Sequence, residues 1–160
     1  MSLKRILLVC TGNSCRSVMA QGLMQHMLQQ AGLDAVTVES SGTFAIAGMT
    51  PTRETQRVLW EAGIDCSHHR ARSLTPEMIA GADLILVMEQ SHLPEVLHRA
   101  PDAKGKTHLL KTYGLAAGEP VTNPNIPDPI GKPMEVYEVC FMEIREAVER
   151  VVKSLGVASG

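Results

Sequence analysis

Residues 4–17 read KRILLVCTGNSCRS, an apolar run followed at once by small polar residues. The run 4–9 predicts a buried strand, and the turn-forming segment 10–13 predicts that the strand stops there. Ser17 is predicted to be the N-cap of a helix that continues until Gly32. Apolar residues recur at helical spacing in this helix, namely Met19, Leu23, Met24, Met27 and Leu28. The stretch therefore predicts a strand, a turn and a helix in immediate succession.

The remainder of the chain repeats this order of strand and helix. Further strands are predicted over 35–39, 83–88 and 108–110, and further helices over 51–62, from Thr75-Pro76-Glu77 onward, over 91–99 and over 134–155. The segment 114–133 is predicted to be a long loop because it holds five of the nine prolines. Strands that alternate with helices indicate an α/β fold, a four-stranded parallel sheet covered on both faces in three α/β/α layers.

The composition suits one globular domain. The chain has 160 residues, 44% of them hydrophobic, so we expect a single domain over 1–160. There is no long apolar run, and the charged pair Lys4-Arg5 follows the first residues closely, so we expect no membrane span, no signal peptide and a cytoplasmic location. A formal net charge of -2 and 3% aromatic residues disfavour a nucleic-acid surface.

The four cysteines are too few and too irregularly spaced for a disulfide framework, so we expect thiols at Cys10, Cys15, Cys66 and Cys140. No metal site is expected, because Cys10 and Cys15 have neither a second C-x-x-C nor a nearby histidine pair as further ligands. The nucleotide-binding pattern G-x-x-x-x-G-K-[ST] is also absent.

The spacing of Cys10 and Arg16 has a chemical use. A loop of this length at the start of a helix can direct its backbone N–H groups inward, while the arginine closes over a tetrahedral oxyanion such as phosphate. The same donors favour the thiolate form of Cys10, and Ser17 is predicted to add a hydroxyl hydrogen bond. Gly12 permits backbone torsions that are closed to other residues, and Asn13 is the non-glycine residue best suited to a left-handed position. In open parallel sheets, ligands bind beyond the carboxyl ends of the strands, which is where this loop lies.

These residues resemble the low-molecular-weight protein tyrosine phosphatase family, whose members carry C-x5-R-S after their first strand. The resemblance covers nearly the whole chain and includes Ser40, the run 69–72, the strand that leads into Glu89, and Asp128-Pro129. It implies that Cys10 is the nucleophile, Arg16 the phosphate clamp and Asp128 the general acid.

The resemblance also implies which residues support these three. The substrate-binding residues would be Thr11, Gly12, Asn13, Ser14, Cys15, Ser17 and Phe44, and the network that holds the loop in shape would be Asn13, Ser17, Ser40 and His69. The implied reaction hydrolyses a phosphorylated protein through a phosphocysteine, with no cofactor and no metal. For Cys15, the family pattern implies a reversible disulfide with Cys10, and simple packing is the alternative.

The family resemblance leaves the substrate open. Phosphotyrosine is the commoner substrate, but tyrosine-specific members generally carry an apolar residue where this chain has Ser14, and an aromatic residue where it has Ile130-Gly131. The protein-arginine-phosphatase branch carries Thr at the Ser14 position, together with S-x-G-x-F and D-P-x-G patterns. The segments 40–44, SSGTF, and 128–131, DPIG, are similar to these patterns. We predict phosphotyrosine as the first candidate and phosphoarginine as the alternative.

Two other classes of protein are less favoured. Thioredoxin-linked arsenate reductases share the segment CTGNSCRS but need two further cysteines on a mobile segment, and 87–91 contains none. An inactive phosphoprotein-binding module would not need Cys10, Arg16, Ser17 and Asp128 together.

Overall fold

In a computed structural model, which describes residues 3–116 and 118–159, with the side chains of 157–159 excepted, the predicted order of strands and helices is present. The strands are β1 (Arg5–Cys10), β2 (Thr37–Gly42), β3 (Leu84–Val87) and β4 (Thr107–Leu109). The helices are α1 (Arg16–Gln30), α2 (Arg53–Glu61), α3 (Pro76–Gly81), α4 (His92–Arg99) and α5 (Met134–Ser159), with a short 3-10 helix at Pro101–Lys106. The strands form one parallel sheet in the order β2-β1-β3-β4, which confirms the predicted fold class.

The sheet is covered on both faces. Alternate residues of β1 divide between two cores, because successive side chains of a strand point to opposite sides. Ile6 and Leu8 pack with α1, α2 and α5, whereas Leu7 and Val9 pack with α3 and α4. The three-layer arrangement is therefore confirmed.

Several predicted boundaries were wrong in ways that concern the loop after β1. Strand β1 begins one residue later than predicted and includes Cys10. Strand β2 was predicted over 35–39, but it runs on through Ser40 and Ser41 to Gly42 because these residues pair with the end of β1. Ser17 is not an N-cap: Cys15 precedes α1, and Ser17 lies inside the helix with its hydroxyl turned to the loop.

Smaller differences from the predicted boundaries concern β3, β4 and the segment between them. Strand β3 lacks the first and last residues of the predicted run 83–88. Strand β4 begins and ends one residue earlier than predicted, and the 3-10 helix before it is not among the predicted elements. No helix in the described ranges is apolar over a length that would span a bilayer.

The carboxyl edge of the sheet gathers four segments, namely those that follow β1, β2 and β3 and the long loop before α5. β1 lies between β2 and β3, so the segments that follow these strands meet above Cys10. The long loop before α5 returns to the same edge, where the N–H of Ile126 donates to the carbonyl of Met88 at 2.9 Å. This edge is where the predicted site residues converge.

Candidate active site

The sulfur of Cys10 lies at the end of β1, where the residue is only 2% exposed. It accepts a hydrogen bond from the backbone N–H of Asn13 at 3.2 Å and lies 2.9 Å from the hydroxyl oxygen of Ser17. The side-chain amide of Asn13 donates to that hydroxyl at 2.8 Å, so the hydroxyl proton is free to point at the sulfur. The sulfur of Cys10 therefore lies within hydrogen-bond distance of two groups that can donate to it.

Asn13 holds the loop in shape through nearly all its polar groups. Its φ of 55° is the predicted left-handed conformation. The side-chain amide also donates to Ser40 at 3.0 Å, while the side-chain oxygen accepts from the backbone N–H of Arg72 at 3.0 Å. Its carbonyl accepts from Nε2 of His69, also at 3.0 Å. Burial lowers the pKa of His69 and so favours the neutral form of its imidazole.

The glycine required by this loop is Gly42 rather than Gly12. Gly12 does not have a positive φ, and a Cβ there would meet only the hydroxyl of Ser14, at an ordinary 3.5 Å. A Cβ on Gly42 would lie 2.4 Å from the carbonyl oxygen of Thr11 and 3.0 Å from the backbone nitrogen of Asn13. The end of β2 can approach the loop this closely only because residue 42 has no side chain.

Arg16 is the first residue of α1, and its guanidinium turns back over the start of the loop. It is 1% exposed, and its Nη1 bonds to the carboxylate of Glu89 and, at 2.7 Å, to the carbonyl of Ile126. Its Nη2 donates to the hydroxyl of Thr11 at 3.4 Å and lies 3.6 Å from Oδ2 of Asp128. The arginine therefore joins the loop after β1 to the loop that carries Asp128.

Asp128 is held at the same edge by the proline-rich loop before α5. Its Oδ1 accepts from the backbone N–H of Ile130 at 3.1 Å, and 38% of its side chain is exposed. The loop is fixed to the end of β3 because the N–H of Gln90 donates to the side chain of Asn125 at 2.7 Å. The structure thus brings Cys10, Arg16 and Asp128 together.

The residues that surround Arg16, namely Glu89, Ile126 and His92, were not identified as site residues from the sequence. Glu89 was noted only as the residue after β3, and the carbonyl of Ile126 leaves no trace in a sequence pattern. His92 is 2% exposed beside Arg16 and the loop, and burial lowers its pKa to about 4. A polar residue just beyond a buried parallel strand was the one available signal for Glu89.

The loops around the site carry both polar and apolar side chains. The backbone N–H of Phe44 donates to the carbonyl of Thr11 at 2.9 Å, which places its ring, 85% exposed, beside the loop. Ser14 is buried within the loop itself. Ile130 is 53% exposed on the loop that carries Asp128. Apolar side chains therefore stand on two loops around the oxyanion site.

Cys15 points away from the rim. Its sulfur lies 3.6 Å from the hydroxyl of Tyr137 and 3.6 Å from that of Thr52. All four cysteines are free thiols. Burial raises the pKa of Cys66 to about 11 and that of Cys140 to about 12, as expected of packed thiols. In the parts of the chain that the structure describes, no group of three or more potential ligand residues is placed to hold a metal ion.

Comparison with known proteins agrees with this geometry. The profile of the low molecular weight phosphotyrosine protein phosphatase family matches residues 5–158. A protein-arginine-phosphatase of Geobacillus stearothermophilus is 38% identical over 151 residues, which is 94% of this chain and 95% of that protein. The low molecular weight protein-tyrosine-phosphatase Ptp of Acinetobacter johnsonii is 37% identical over 148 residues, 92% of this chain and 95% of that protein.

The fold is similar to solved structures of such enzymes. The tyrosine phosphatase Wzb from Escherichia coli K30, solved in complex with sulphate, superposes with a TM-score of 0.84 at 29% identity. The superposition covers 96% of this chain and 99% of that one.

Proposed function

The chain belongs to the low molecular weight phosphotyrosine protein phosphatase family and is a cysteine-based phosphatase, and on this premise we propose that Cys10, Arg16 and Asp128 carry its reaction. The family acts on phosphorylated proteins. The relatives reported above are named as phosphatases, which leaves the arsenate reductase and the inactive binding module without support. The observation that carries the proposal is the pair of donors on the sulfur of Cys10.

The first step transfers the phosphoryl group to the enzyme. The thiolate of Cys10 attacks phosphorus, so an S–P bond forms while the bond from phosphorus to the leaving oxygen or nitrogen breaks. Asp128 gives its proton to the leaving atom. The backbone N–H groups of the loop and the guanidinium of Arg16 bind the phosphoryl oxygens and stabilise the charge that they carry in the transition state.

The second step returns the enzyme to its first state. A water molecule attacks phosphorus, the S–P bond breaks and inorganic phosphate leaves. Asp128 accepts a proton from that water, so the same carboxyl group acts as acid and then as base. The position of Asp128 beside Arg16, at the edge of the sheet where Cys10 ends β1, supports both roles.

Turnover of a chromogenic aryl phosphate tests this assignment. The Cys10→Ser variant is expected to lose activity by about a thousandfold or more, because a serine hydroxyl is a far weaker nucleophile than a thiolate. Cys66→Ser is the matched control, since Cys66 lies outside the loop and is expected to keep wild-type turnover. Equal rates for the wild type and Cys10→Ser would overturn the proposal.

Phosphotyrosine is the first candidate substrate. Phe44 and Ile130 stand exposed on the loops that flank the oxyanion site, and an aryl ring gains from contact with such apolar side chains. The family name and the tyrosine phosphatases among the relatives support this choice.

Phosphoarginine is the second candidate, favoured by Ser14. This residue gives the loop a small polar side chain, and the protein-arginine-phosphatase of G. stearothermophilus matches the chain at 38% identity. Parallel turnover of a phosphotyrosine peptide and a phosphoarginine peptide distinguishes the two. If phosphoarginine is the substrate, Ser14→Ile is expected to reduce its cleavage and to spare aryl phosphate. An equal loss for both substrates, or none for either, would contradict this specificity role.

The proposal extends to the cellular location and the domain organisation of the enzyme. A catalytic thiol functions only where it stays reduced, which supports a cytoplasmic location. The family profile over 5–158 supports one phosphatase domain over 1–160, with phosphate as the oxyanion in its loop.

A further inference from the structure

His92 is a buried histidine that the proposed steps do not use. It is the first residue of α4, and both of its ring nitrogens have partners. Nδ1 accepts from the backbone N–H of Glu89 at 3.0 Å, and Nε2 lies 2.9 Å from the hydroxyl oxygen of Thr11. The ring therefore bridges the end of β3 and the residue that follows the nucleophile.

These two contacts fix the position of the ring proton. A backbone N–H can only donate, so Nδ1 of His92 must be unprotonated to accept from Glu89. In a neutral imidazole the proton is then on Nε2. The contact with Thr11 is consequently a hydrogen bond in which the histidine donates and the hydroxyl oxygen accepts.

The hydroxyl of Thr11 accepts a second hydrogen bond from Arg16, whose Nη2 lies 3.4 Å away. A hydroxyl oxygen has two acceptor positions and one proton. With both acceptor positions occupied, the proton of Thr11 has to be donated to some other group. Within residues 3–116 and 118–159, this hydroxyl has no partner besides His92 and Arg16.

We propose that His92 is a positioning residue that commits the hydroxyl of Thr11 to donate to the phosphoryl group in the loop. Thr11 follows Cys10 directly and is partly exposed, so its hydroxyl belongs to the rim of the oxyanion site. The loop then offers a side-chain donor in addition to its backbone N–H groups and Arg16. This inference rests on the proposed function, because it assigns the phosphoryl group to the same loop.

Binding of inorganic phosphate, measured by titration calorimetry, tests the donor. Thr11→Val keeps the shape of the side chain and removes the hydroxyl, and we expect phosphate to bind about tenfold or more weakly, as for a lost hydrogen bond to a charged group. Thr11→Ser restores the hydroxyl and is expected to bind within about twofold of the wild type. Wild-type affinity in Thr11→Val would overturn the proposal.

A double-mutant cycle tests whether His92 acts through Thr11. His92→Asn is expected to weaken phosphate binding in the wild type but to have no further effect in Thr11→Val. Equal effects of His92→Asn in both backgrounds would overturn the positioning role. His98→Asn, an exposed histidine on the same helix, is the matched control and is expected to bind phosphate normally.

The tautomer of His92 can be measured directly by NMR. The ¹⁵N chemical shifts of the His92 ring at pH 7 are expected to show a protonated Nε2 and an unprotonated Nδ1, a readout independent of whether the variants fold. A protonated Nδ1 would overturn the argument. Phosphate binding needs no turnover, so this inference and the proposed hydrolysis fail in separate experiments: loss of the Thr11 effect rejects the first, and turnover by Cys10→Ser rejects the second.

Discussion

The hydroxyl of Ser17 lies 2.9 Å from the sulfur of Cys10 and accepts a hydrogen bond from the side-chain amide of Asn13, which leaves its own proton available to the sulfur. Replacing Ser17 with Ala removes this donor and leaves the loop backbone in place. We expect kcat/KM for an aryl phosphate to fall by about tenfold to a hundredfold, since a hydrogen bond to a charged group is lost. Alkylation of Cys10 by iodoacetate at pH 7 should slow in the same variant. Unchanged alkylation would contradict a role for Ser17 in holding the thiolate.

Asn13 combines a left-handed backbone with hydrogen bonds to Ser17, Ser40 and Arg72. Asn13→Ala is expected to lower the free energy of unfolding by about 3 kcal/mol, because it loses these bonds and strains the backbone. Asn13→Gly loses the same bonds without the strain, and its loss is expected to be smaller by about 1 kcal/mol. Urea unfolding of the two variants measures the difference. Equal losses would show that the φ of 55° carries no cost.

Gly42 approaches the loop too closely to carry a side chain. The Cβ of Gly42→Ala would lie 2.4 Å from the carbonyl of Thr11, so the end of β2 or the loop has to move. We expect a loss of about 2–3 kcal/mol in unfolding free energy and a large fall in kcat. Gly105→Ala is the matched control, because no atom lies within 4 Å of its added Cβ. A Gly42→Ala variant as stable and active as Gly105→Ala would refute the close approach.

The fold was predictable because its signals are local. Apolar runs such as Ile6 to Val9 and the helical spacing after Arg16 are sufficient to predict alternating strands and helices. Cys10 and Arg16 could be identified because both lie in one continuous loop, where spacing along the chain reflects spacing in the structure. Asp128 came only from the family resemblance, since no local pattern links it to Cys10.

The residues that sequence reasoning missed act across the sheet. Glu89 and His92 follow β3, and they contact Arg16 and Thr11, which follow β1. Separation along the sequence does not predict contacts between such segments. The predicted second strand ends at residue 39 because Ser40 and Gly42 are typical turn residues. They lie in a buried strand because Asn13 satisfies the hydroxyl of Ser40 and the loop needs the space above Gly42.

Two histidines of the site, the buried His92 and the half-buried His69, predict how stability depends on pH. Burial lowers the pKa of His92 from 6.5 to about 4, with Arg16 contributing in the same direction and the carboxylates of Glu89, Asp128 and Glu95 opposing it. The pKa of His69 is lowered as well, mainly by burial. For His92, the unfolded chain therefore binds more protons than the native state between about pH 4 and pH 6.5, and the lowered pKa of His69 acts in the same direction. The contribution of His92 to stability is fully present above about pH 6.5 and is lost as the pH falls toward 4.

Urea unfolding at pH 7 and at pH 5 measures this dependence. His92 contributes at most about 1.4 kcal/mol per pH unit in this window. His92→Gln is expected to be less stable than the wild type at pH 7, because the bonds to Thr11 and Glu89 are weakened, yet to lose less stability between pH 7 and pH 5. His98→Gln removes an exposed histidine and should keep the wild-type difference between the two pH values. If His92→Gln also keeps the wild-type difference in stability between pH 7 and pH 5, His92 is not the neutral, buried imidazole that its hydrogen bonds require.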